Sequence, residues 1–464
     1  MAGESVNSSN NAVNKSTALL IATLSAFLAP FMGSSMNIAL PSIGKELALD
    51  AVVLSWVATA YLLAAAMFLV PFGKIADIQG RKKIFTCGIL LYTLASLLCA
   101  LATSAIWLIG CRILQGIGSA MIFGTGVAIL TSVFPVGERG RALGISVAAT
   151  YTGLSVGPIL GGFLTQHFGW RSIFLASVPL GLAIIPLVVW RLKGEWAAAK
   201  GESFDFIGSV IYSLSLVVVM YGFSQVPALP GAWLILLGVL GILAFVFWET
   251  RVGSPVLNMS LFRHNTVFAF SNLAALINYS ATSAVGFLLS LYLQYVKALS
   301  PQDAGLVLVS QPVMMAIFSP LAGRLSDRIE PRVVASTGMA LTTIGLLPFV
   351  FLNERTPLAF IVASLVLLGF GFALFSSPNT NAVMSSVEHR FYGVASATLG
   401  TMRLTGQMLS MGIAMLILAI YVGKVQITAA YYARFLTSLQ TAIAVFAVLC
   451  FLGIFASLSR GKVR

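Results

Sequence analysis

Long apolar runs alternate with short polar segments along almost the whole chain. Fourteen runs can be distinguished, and most have the ~20 residues that an α-helix needs to cross a bilayer. The predicted spans, with ends defined to within about 2–4 residues, are 17–40, 52–72, 84–103, 106–130, 143–165, 172–192, 204–225, 232–250, 266–293, 304–322, 333–352, 357–377, 392–421 and 437–459. The pattern therefore predicts an all-α membrane protein with 14 transmembrane helices.

The composition supports a membrane protein over a soluble one. Hydrophobic residues make up 58% of the 464 residues and charged residues only 9%. A soluble fold cannot hide so much apolar surface, whereas lipid accepts it when the backbone is hydrogen-bonded within helices. The polar residues 1–16 are expected to form a tail. The first apolar run is longer than the core of a typical signal peptide, so it is taken as the first span.

The net charge of +13 reflects the orientation of the chain, and nucleic acid is not an expected partner. With alternating spans, nineteen of the 27 Lys and Arg residues fall on the side that holds both termini. Six fall on the other side, and Arg112 and Arg403 remain inside the membrane. Basic residues mark the cytoplasmic side, so both termini are predicted to be cytoplasmic. Short loops without an organelle signal favour a plasma (inner) membrane.

Two short polar loops share one charged pattern, which indicates an internal duplication. In the first loop Asp77 follows Gly73 by four positions, and in the second Asp327 follows Gly323 by four. The loops follow spans 2 and 10, eight spans apart, so two extra spans lie between two six-helix halves. The predicted organisation is a cytoplasmic tail 1–16, an N-terminal bundle 17–192, a linker with two extra helices 193–250, a C-terminal bundle 251–459 and a cytoplasmic tail 460–464.

Five segments, in order and at suitable spacing, resemble the major facilitator superfamily, and more narrowly its fourteen-helix drug:proton antiporter branch. They are Asn37–Pro41, the loop Gly73–Lys83, Arg112–Ala120 in span 4, Gly153–Gly162 in span 5 and Trp170–Phe174. The resemblance implies a major facilitator fold of two six-helix bundles plus two extra central helices. It also implies proton-coupled multidrug efflux by antiport.

The sequence departs from that branch at three positions. Met32 stands where many members carry an aspartate in helix 1, Ile78 replaces the basic residue that usually follows Asp77, and Glu330 replaces a glycine. The resemblance therefore does not identify which residue carries the proton.

Arg112 is the first of two arginines predicted inside the membrane. A charged side chain at mid-helix costs about 2.5–3.5 kcal/mol on insertion scales, so such residues usually face a polar cavity. Gln115 and Ser119 share its helix face, and this face is expected to line the central cavity. The alternative is a structural arginine bonded to backbone carbonyls. The family resemblance implies a role in proton relay.

Arg403 is the second membrane arginine, and Gln407 lies on the same helix face. It is expected in the cytoplasmic half of span 13. One interpretation is contact with substrate or gating, and the other is a tether between helices.

The loop with Gly73, Asp77, Gly80 and Arg81 is interpreted as a gate. Asp77 lies at a helix end and can pair with a basic residue of a neighbouring helix, such as the loop at Arg139 and Arg141. Such a pair would hold the halves together in the outward-open state, and rocking of the halves would break it. Its second copy supplies Asp327 and Arg328. The alternative is a topology anchor that only marks the cytoplasmic side.

Span 5 carries closely spaced small residues together with a proline. The set is Gly153, Gly157, Pro158, Gly161 and Gly162. Small residues let helices approach closely, and proline bends a helix because it lacks a backbone donor. The family resemblance implies a bend that seals the cavity against proton leak, and simple tight packing is the alternative.

Scattered amides, hydroxyls and aromatics in the spans suit a cavity for amphipathic ligands. They are Ser34, Ser35, Asn37, Tyr61, Tyr151, Asn272, Asn278, Tyr279, Gln294, Gln311, Asn379 and Asn381. No acidic residue falls in the middle of a predicted span. The cavity is therefore expected to be positive and to prefer neutral or anionic substrates over multivalent cations.

The sequence argues against an enzyme. It has no phosphate-binding loop for ATP, and its three histidines, which lie near span ends, are not spaced for a metal or a catalytic triad. Energy is expected from an ion gradient, with protons as the favoured ion, and no cofactor is expected. The leading hypothesis is a monomeric exporter of drugs or toxic amphiphiles. The alternatives are an exporter of a specific neutral or anionic metabolite, lipid or siderophore, and a non-transporting membrane sensor.

Overall fold

A computed structural model describes residues 2–197, 199–257, 259–388 and 392–461. Fourteen helices in these ranges are long and apolar enough to cross a membrane. They are Lys15–Glu46 (α1), Ala51–Gln79 (α2), Arg81–Ala100 (α3), Ala105–Val133 (α4), Glu138–Phe168 (α5), Arg171–Arg191 (α6), Phe206–Gln225 (α7), Leu229–Glu249 (α8), Thr266–Val296 (α9), Pro301–Ser326 (α10), Pro331–Phe351 (α11), Leu358–Ser385 (α12), Tyr392–Tyr421 (α13) and Ala429–Leu458 (α14). Each coincides with one predicted span, which confirms the fold class.

Residues 2–16, which belong to the predicted cytoplasmic tail, are helical. The first helix begins at Ala2 and continues to Glu46. The segment before Lys15 contains no proline, so once the apolar run is helical each preceding residue can extend the helix by one backbone hydrogen bond at little cost. Lys15 is tied to the start of α5, because its Nζ lies 2.9 Å from a carboxylate oxygen of Glu138.

Arg460, predicted to lie in a cytoplasmic tail, is instead fully buried at the end of α14. Its guanidinium donates to Asn379 Oδ1 at 3.0 Å and to the Ser457 carbonyl at 2.8 Å. Burial lowers the pKa of Arg460 to about 10, an effect that the charge of Glu330 opposes. The arginine therefore fastens α14 to α12. Residues 462–464 of the predicted tail lie outside the described residues.

Helix α9 is interrupted within the membrane. Its segments are Thr266–Thr282, Val285–Leu291 and Tyr292–Val296. At the break the N–H of Ala284 donates to Ser410 Oγ on α13, at 2.9 Å. A side chain of the neighbouring helix thus satisfies a backbone group that the break releases, as an apolar environment requires.

The helices pack as two bundles with an added pair. In the first bundle α1 packs on α5, and α4 packs on α2 and α3. In the second, α12 packs on α10 and α11, and α9 packs on α13 and α14. Helices α7 and α8 pack on each other, and α7 also contacts α2 and α13. The bundles meet where α5 contacts α10, α2 contacts α13, and α1 contacts α9. The first bundle, α1 to α6, and the second, α9 to α14, are called the N-half and the C-half below.

Candidate functional site

The two halves are bonded together at the end of the molecule where α1 terminates, called the Glu46 end below. Gln294 Nε2 of α9 donates to the carbonyl of Ile38 on α1, at 2.9 Å. Ser290 Oγ donates to the carbonyl of Asn37 on the same turn. These bonds join a side chain of one half to the backbone of the other, so they fix the contact between α1 and α9 at this end.

The contact of α5 with α10 completes the closure at the Glu46 end. A Cβ on Gly162 would lie 2.6 Å from the carbonyl oxygen of Pro301. A Cβ on Gly305 would collide with the carbonyl oxygen of Pro158. Glycine is therefore required on both sides of this crossing, because any side chain would push the two backbones apart.

The remaining small residues of α5 pack against α1. A Cβ on Gly153 would lie 2.5 Å from the Phe27 carbonyl oxygen, and one on Gly161 would lie 2.7 Å from Ser35. Ser35 Oγ donates to the carbonyl of Gly157 at 2.9 Å. The small residues and the proline of span 5 therefore make two contacts. Gly153, Gly157 and Gly161 pack against α1, whereas Gly162 and Pro158 pack against α10.

At the opposite end, called the Asp77 end, Asp77 pairs with Arg81. The Arg81 Nη2 lies 2.7 Å from Asp77 Oδ1. Arg81 Nη1 also donates to Ser132 Oγ on α4, at 2.7 Å. The connection between α2 and α3 is the single residue Gly80, with φ +123°. This tight turn places Arg81 one helical turn from Asp77.

The expected pairing of Asp77 with the loop at Arg139 and Arg141 is not what the structure shows. Arg139 Nε instead donates to the carbonyl of Phe134, at 2.9 Å, and so closes the turn between α4 and α5. The side-chain bonds of Arg81 stay within the N-half, where they tie α3 to α2 and α4.

Glu195, which the sequence reasoning missed, caps α3. Its carboxylate accepts from the backbone N–H groups of Lys82 at 2.8 Å and Lys83 at 3.2 Å. An anion is favoured at a helix N-terminus, where N–H groups lack partners. The residue before α3 is Gly80, which has no side chain for this task. The sequence did contain one signal for this contact. A helix that begins after a glycine has no side chain at its own cap position, so another segment must supply the cap.

Glu195 belongs to a segment that crosses the Asp77 end. The N–H of Arg81 donates to the carbonyl of Trp196, and the N–H of Ala199 donates to the carbonyl of Asp77, both at 2.9 Å. Lys74 pairs with Glu202 at 2.6 Å. The segment after α6 therefore lies over the loop with Gly73, Asp77, Gly80 and Arg81.

The second copy of this loop is held differently. Asp327 accepts from Asn381 Nδ2 of α12 at 3.2 Å, and Arg328 is exposed. The first copy has an arginine one turn after its aspartate, while Ile329, Glu330 and Pro331 follow Arg328. The two copies therefore contact different partners, Arg81 for Asp77 in the first and Asn381 for Asp327 in the second.

Arg112 lies inside the N-half, only 2% exposed. Its Nε donates to the carbonyl of Val57 at 3.1 Å, and its guanidinium donates to Gln115 Oε1. The guanidinium carbon stands 4.4 Å from the centre of the Tyr61 ring. Gln115 in turn donates to Ser96 Oγ at 2.8 Å. The expectation that this face lines an open cavity is wrong for this structure, because α2 and α3 cover it.

Position 32, where the resembled branch often carries an aspartate, is part of the apolar core. Met32 is fully buried.

Tyr61 and Ser119, which extend the cluster around Arg112, share a hydrogen bond of 2.7 Å. The buried polar network of the N-half is therefore built from hydroxyls and amides around one guanidinium.

Arg403 lies where α13 faces the junction of the halves, and it is only partly buried. Its Nη2 donates to Thr380 Oγ1 on α12, at 2.6 Å. Its Nε is a shielded donor without a hydrogen-bond partner among the described residues. The Tyr279 ring of α9 lies 5.7 Å from its guanidinium carbon. Gln407, one turn further along α13, is also partly buried.

Aromatic rings and a bond between the halves surround Arg403. Tyr279 packs edge-to-face on Phe372, with ring centres 5.3 Å apart. Tyr151 of α5 donates to Ser376 Oγ of α12, at 3.3 Å, and so joins the halves near the middle of both helices. The structure thus brings Tyr151, Tyr279 and Arg403 into one region, whereas it places Arg112 in the interior of the N-half.

Comparisons with known proteins give one consistent family. The sequence model described as Major Facilitator Superfamily matches residues 22–276 and 271–462. The cephamycin export protein CmcT of Amycolatopsis lactamdurans is 34% identical over 407 residues, covering 84% of this chain and 82% of that protein. The riboflavin transporter RibZ of Clostridioides difficile (strain 630) is 30% identical over 388 residues, covering 83% and 84%. The multidrug resistance protein Stp of Mycobacterium tuberculosis is 31% identical over 397 residues, covering 83% and 73%.

Solved structures give the same fold. A bacterial homologue of the human lysosomal transporter Spinster, in an inward-facing and unoccupied conformation, has a TM-score of 0.65 and 17% identity, covering 96% of this chain and 97% of that one. A POT family transporter in complex with a thioalcohol-conjugated peptide has a TM-score of 0.69 and 14% identity, covering 94% and 95%. At these identities the likeness concerns the fold alone.

Proposed function

The chain belongs to the major facilitator superfamily of membrane transporters, and from this premise we propose that it is a proton-coupled exporter of drugs or other amphipathic small molecules that works by alternating access. It is a multi-pass membrane protein and not an enzyme. Export is supported by two relatives, the multidrug resistance protein and the cephamycin export protein. The substrate, the coupling ion and the direction of transport are the proposed part.

The single observation that carries the proposal is the junction of the halves around Arg403. There the N-half contributes Tyr151 and the C-half contributes Tyr279 and Arg403. An unsatisfied guanidinium donor beside aromatic rings suits a ligand with an apolar body and an electron-rich group. A charged residue inside a membrane bundle usually marks a substrate or ion pathway.

Alternating access requires two packings of the halves, and the closure at the Glu46 end supports one of them. The bonds from Ser290 and Gln294 to α1 hold the halves together there. We propose that this is the external end and that the Asp77 end faces the cytoplasm, since the basic residues concentrate there. In the other state the Glu46 end opens and the Asp77 end closes.

The proposed substrates are neutral or anionic. Arg403 supplies positive charge at the junction of the halves, and Met32 removes the acidic group that a helix 1 aspartate would add. The second candidate function is export of one specific neutral or anionic metabolite, lipid or siderophore. The riboflavin transporter among the relatives supports such a dedicated substrate.

Uptake into inverted membrane vesicles with an imposed pH gradient tests the proposal. A panel graded in charge would contain anionic, neutral, monocationic and dicationic compounds, with riboflavin as one neutral member. We expect gradient-dependent accumulation of anionic and neutral compounds and little of the dication. Strong transport of the dication would refute the charge preference. Transport of one compound only would favour the dedicated exporter, and transport insensitive to the pH gradient would refute proton coupling.

Two arginine variants distinguish a direct contact of Arg403 with substrate from a general effect of removing one positive charge. Arg403→Gln is expected to reduce transport at least tenfold for the best substrate, because the guanidinium contacts it. Arg434→Gln removes an exposed arginine of α14 and is expected to leave transport unchanged. Equal loss in both variants would contradict a site at Arg403.

A further inference from the structure

Two carboxylates that the transport proposal does not use meet at the Asp77 end of the added helix pair. Asp205 immediately precedes α7 and is 8% exposed, while Glu249 ends α8 and is 3% exposed. They lie 44 residues apart in sequence, and the packing of α7 on α8 brings them together. Two buried carboxylates side by side repel each other strongly if both are ionised.

Three of the four carboxylate oxygens have donors. Asp205 Oδ1 accepts from the N–H of Gly208 at 2.9 Å, and Asp205 Oδ2 accepts from Trp248 Nε1 at 3.0 Å. Glu249 Oε2 accepts from the N–H of Leu257 at 2.8 Å. The fourth oxygen, Glu249 Oε1, is buried and has no partner among the described residues.

That unpartnered oxygen points toward the other carboxylate. Glu249 Oε1 and Asp205 Oδ2 both lie within 2.7 Å of the position that a Cβ on Gly208 would occupy. The two oxygens therefore share the small space above this glycine. An acceptor facing an acceptor in a buried site is unfavourable unless a proton or a cation lies between them.

We propose that Asp205 and Glu249 bind one proton between them. The proton is taken from water, forms an O–H bond on Glu249 and is donated to Asp205 Oδ2, so the pair carries a single negative charge. It supplies the donor that Glu249 Oε1 lacks and removes the repulsion of two adjacent anions. The remaining negative charge is held by the N–H groups of Gly208 and Trp248.

Among the residues that the structure describes, the surroundings provide little positive charge to hold both carboxylates ionised. Arg251 is exposed and stacks on the Phe247 ring at 4.0 Å, and Arg263 and His264 on the short helix Met259–His264 are exposed. From α2, Lys74 pairs with Glu202. On α7 itself, the Tyr212 hydroxyl donates to the carbonyl of Ala66. On α13, Arg403 contacts Thr380.

The shared proton has a structural consequence at the entry to the C-half. Glu249 accepts a hydrogen bond from the N–H of Leu257. Leu257 is buried in an apolar cluster with Tyr212 and Phe245. The stretch after α8 leads through Leu257 toward α9. Loss of the proton would leave two anions in contact and loosen this anchor. The site therefore makes the junction between the added helices and the C-half sensitive to cytoplasmic pH.

Infrared spectroscopy of the full-length protein in nanodiscs tests the proton directly. The carbonyl band of a protonated carboxyl is expected at neutral pH, and it should disappear as the pH is raised to about 9. Glu249→Gln and Asp205→Asn should each remove it. Glu354→Gln, which alters an exposed carboxylate, should leave it in place. A band that persists in both Glu249→Gln and Asp205→Asn would overturn the proposal.

Two further measurements test the shared proton even if one of these variants folds poorly. The wild-type Tm should fall as pH rises, because the proton that stabilises the pair is released, whereas the Tm of Glu249→Gln should not change with pH. Gly208→Ala keeps both carboxyls but fills their common space, and it should abolish the band. A carboxylate band that responds to Na⁺ or Ca²⁺ instead would identify a metal cation and overturn the proton assignment.

Discussion

At the scale of single residues, the two membrane arginines have different surroundings and should behave differently. Arg112 is enclosed in the N-half and satisfied by Val57 and Gln115. Arg403 is partly buried at the junction of the halves and keeps one donor unused. The sequence identified both as membrane charges but could not distinguish them, because burial of each depends on helices distant in the chain.

Arg112→Ala is expected to destabilise the protein by about 1–3 kcal/mol, since it leaves Gln115 Oε1 and the Val57 carbonyl without a donor in a buried site. The measurement is the Tm of the purified protein in detergent. Arg403→Ala should lower the Tm much less and alter the substrate profile instead. Arg434→Ala serves as the exposed control. Equal losses of Tm in the two membrane variants would contradict this distinction.

At the scale of helices, α5 shows how the small residues of one helix pack against two different neighbours. Gly153, Gly157 and Gly161 press against α1, whereas Gly162 meets α10 of the other half. The spacing of small residues was visible in the sequence and predicted close packing. Which neighbour each glycine meets was not visible, because a helix face is defined locally but its partner is not.

Glycines of α5 provide a matched test of this packing. Gly157→Ala would place a Cβ 2.8 Å from the Phe31 carbonyl and against the Ser34 hydroxyl. Overpacking of this kind costs about 1–3 kcal/mol, so a lower Tm is expected. Gly144→Ala lies on the same helix with no atom within 4 Å of its Cβ. It should keep or raise the Tm, because alanine favours a helix, and a lower Tm in both would contradict the packing argument.

At the scale of the whole molecule, the structure is closed at the Glu46 end, as one of the two packings of the proposed alternating access would be. The halves are joined at the Glu46 end through α1 with α9 and through α5 with α10. Asp77, predicted to pair with the loop at Arg139 and Arg141, instead pairs with Arg81 and ties α2 to α3 within the N-half. Its part in gating stays a prediction.

Gly305→Ala is expected to shift the population away from the packing closed at the Glu46 end, because its Cβ would collide with the Pro158 carbonyl of the other half. Spin labels at Thr103 and Glu354, both exposed, would report the distance between the halves at this end, on a background without the exposed Cys87. The population at longer distance should grow.

Gly110→Ala on α4, where no atom lies within 4 Å of the Cβ, is the control for this shift and should leave the distances unchanged. An unaltered distance distribution in Gly305→Ala would argue that the α5–α10 crossing does not control closure.

The sequence by itself determined the helices, their number and the family. A span is set by the length and apolarity of a local run, and family motifs are local too, so both can be read from neighbouring residues. Only the tertiary structure decided that Arg460 is buried, that Glu195 caps α3 and that Asp205 meets Glu249. Each of these contacts joins residues that are tens of positions apart in the sequence. A local pattern does not show which distant segments will pack together.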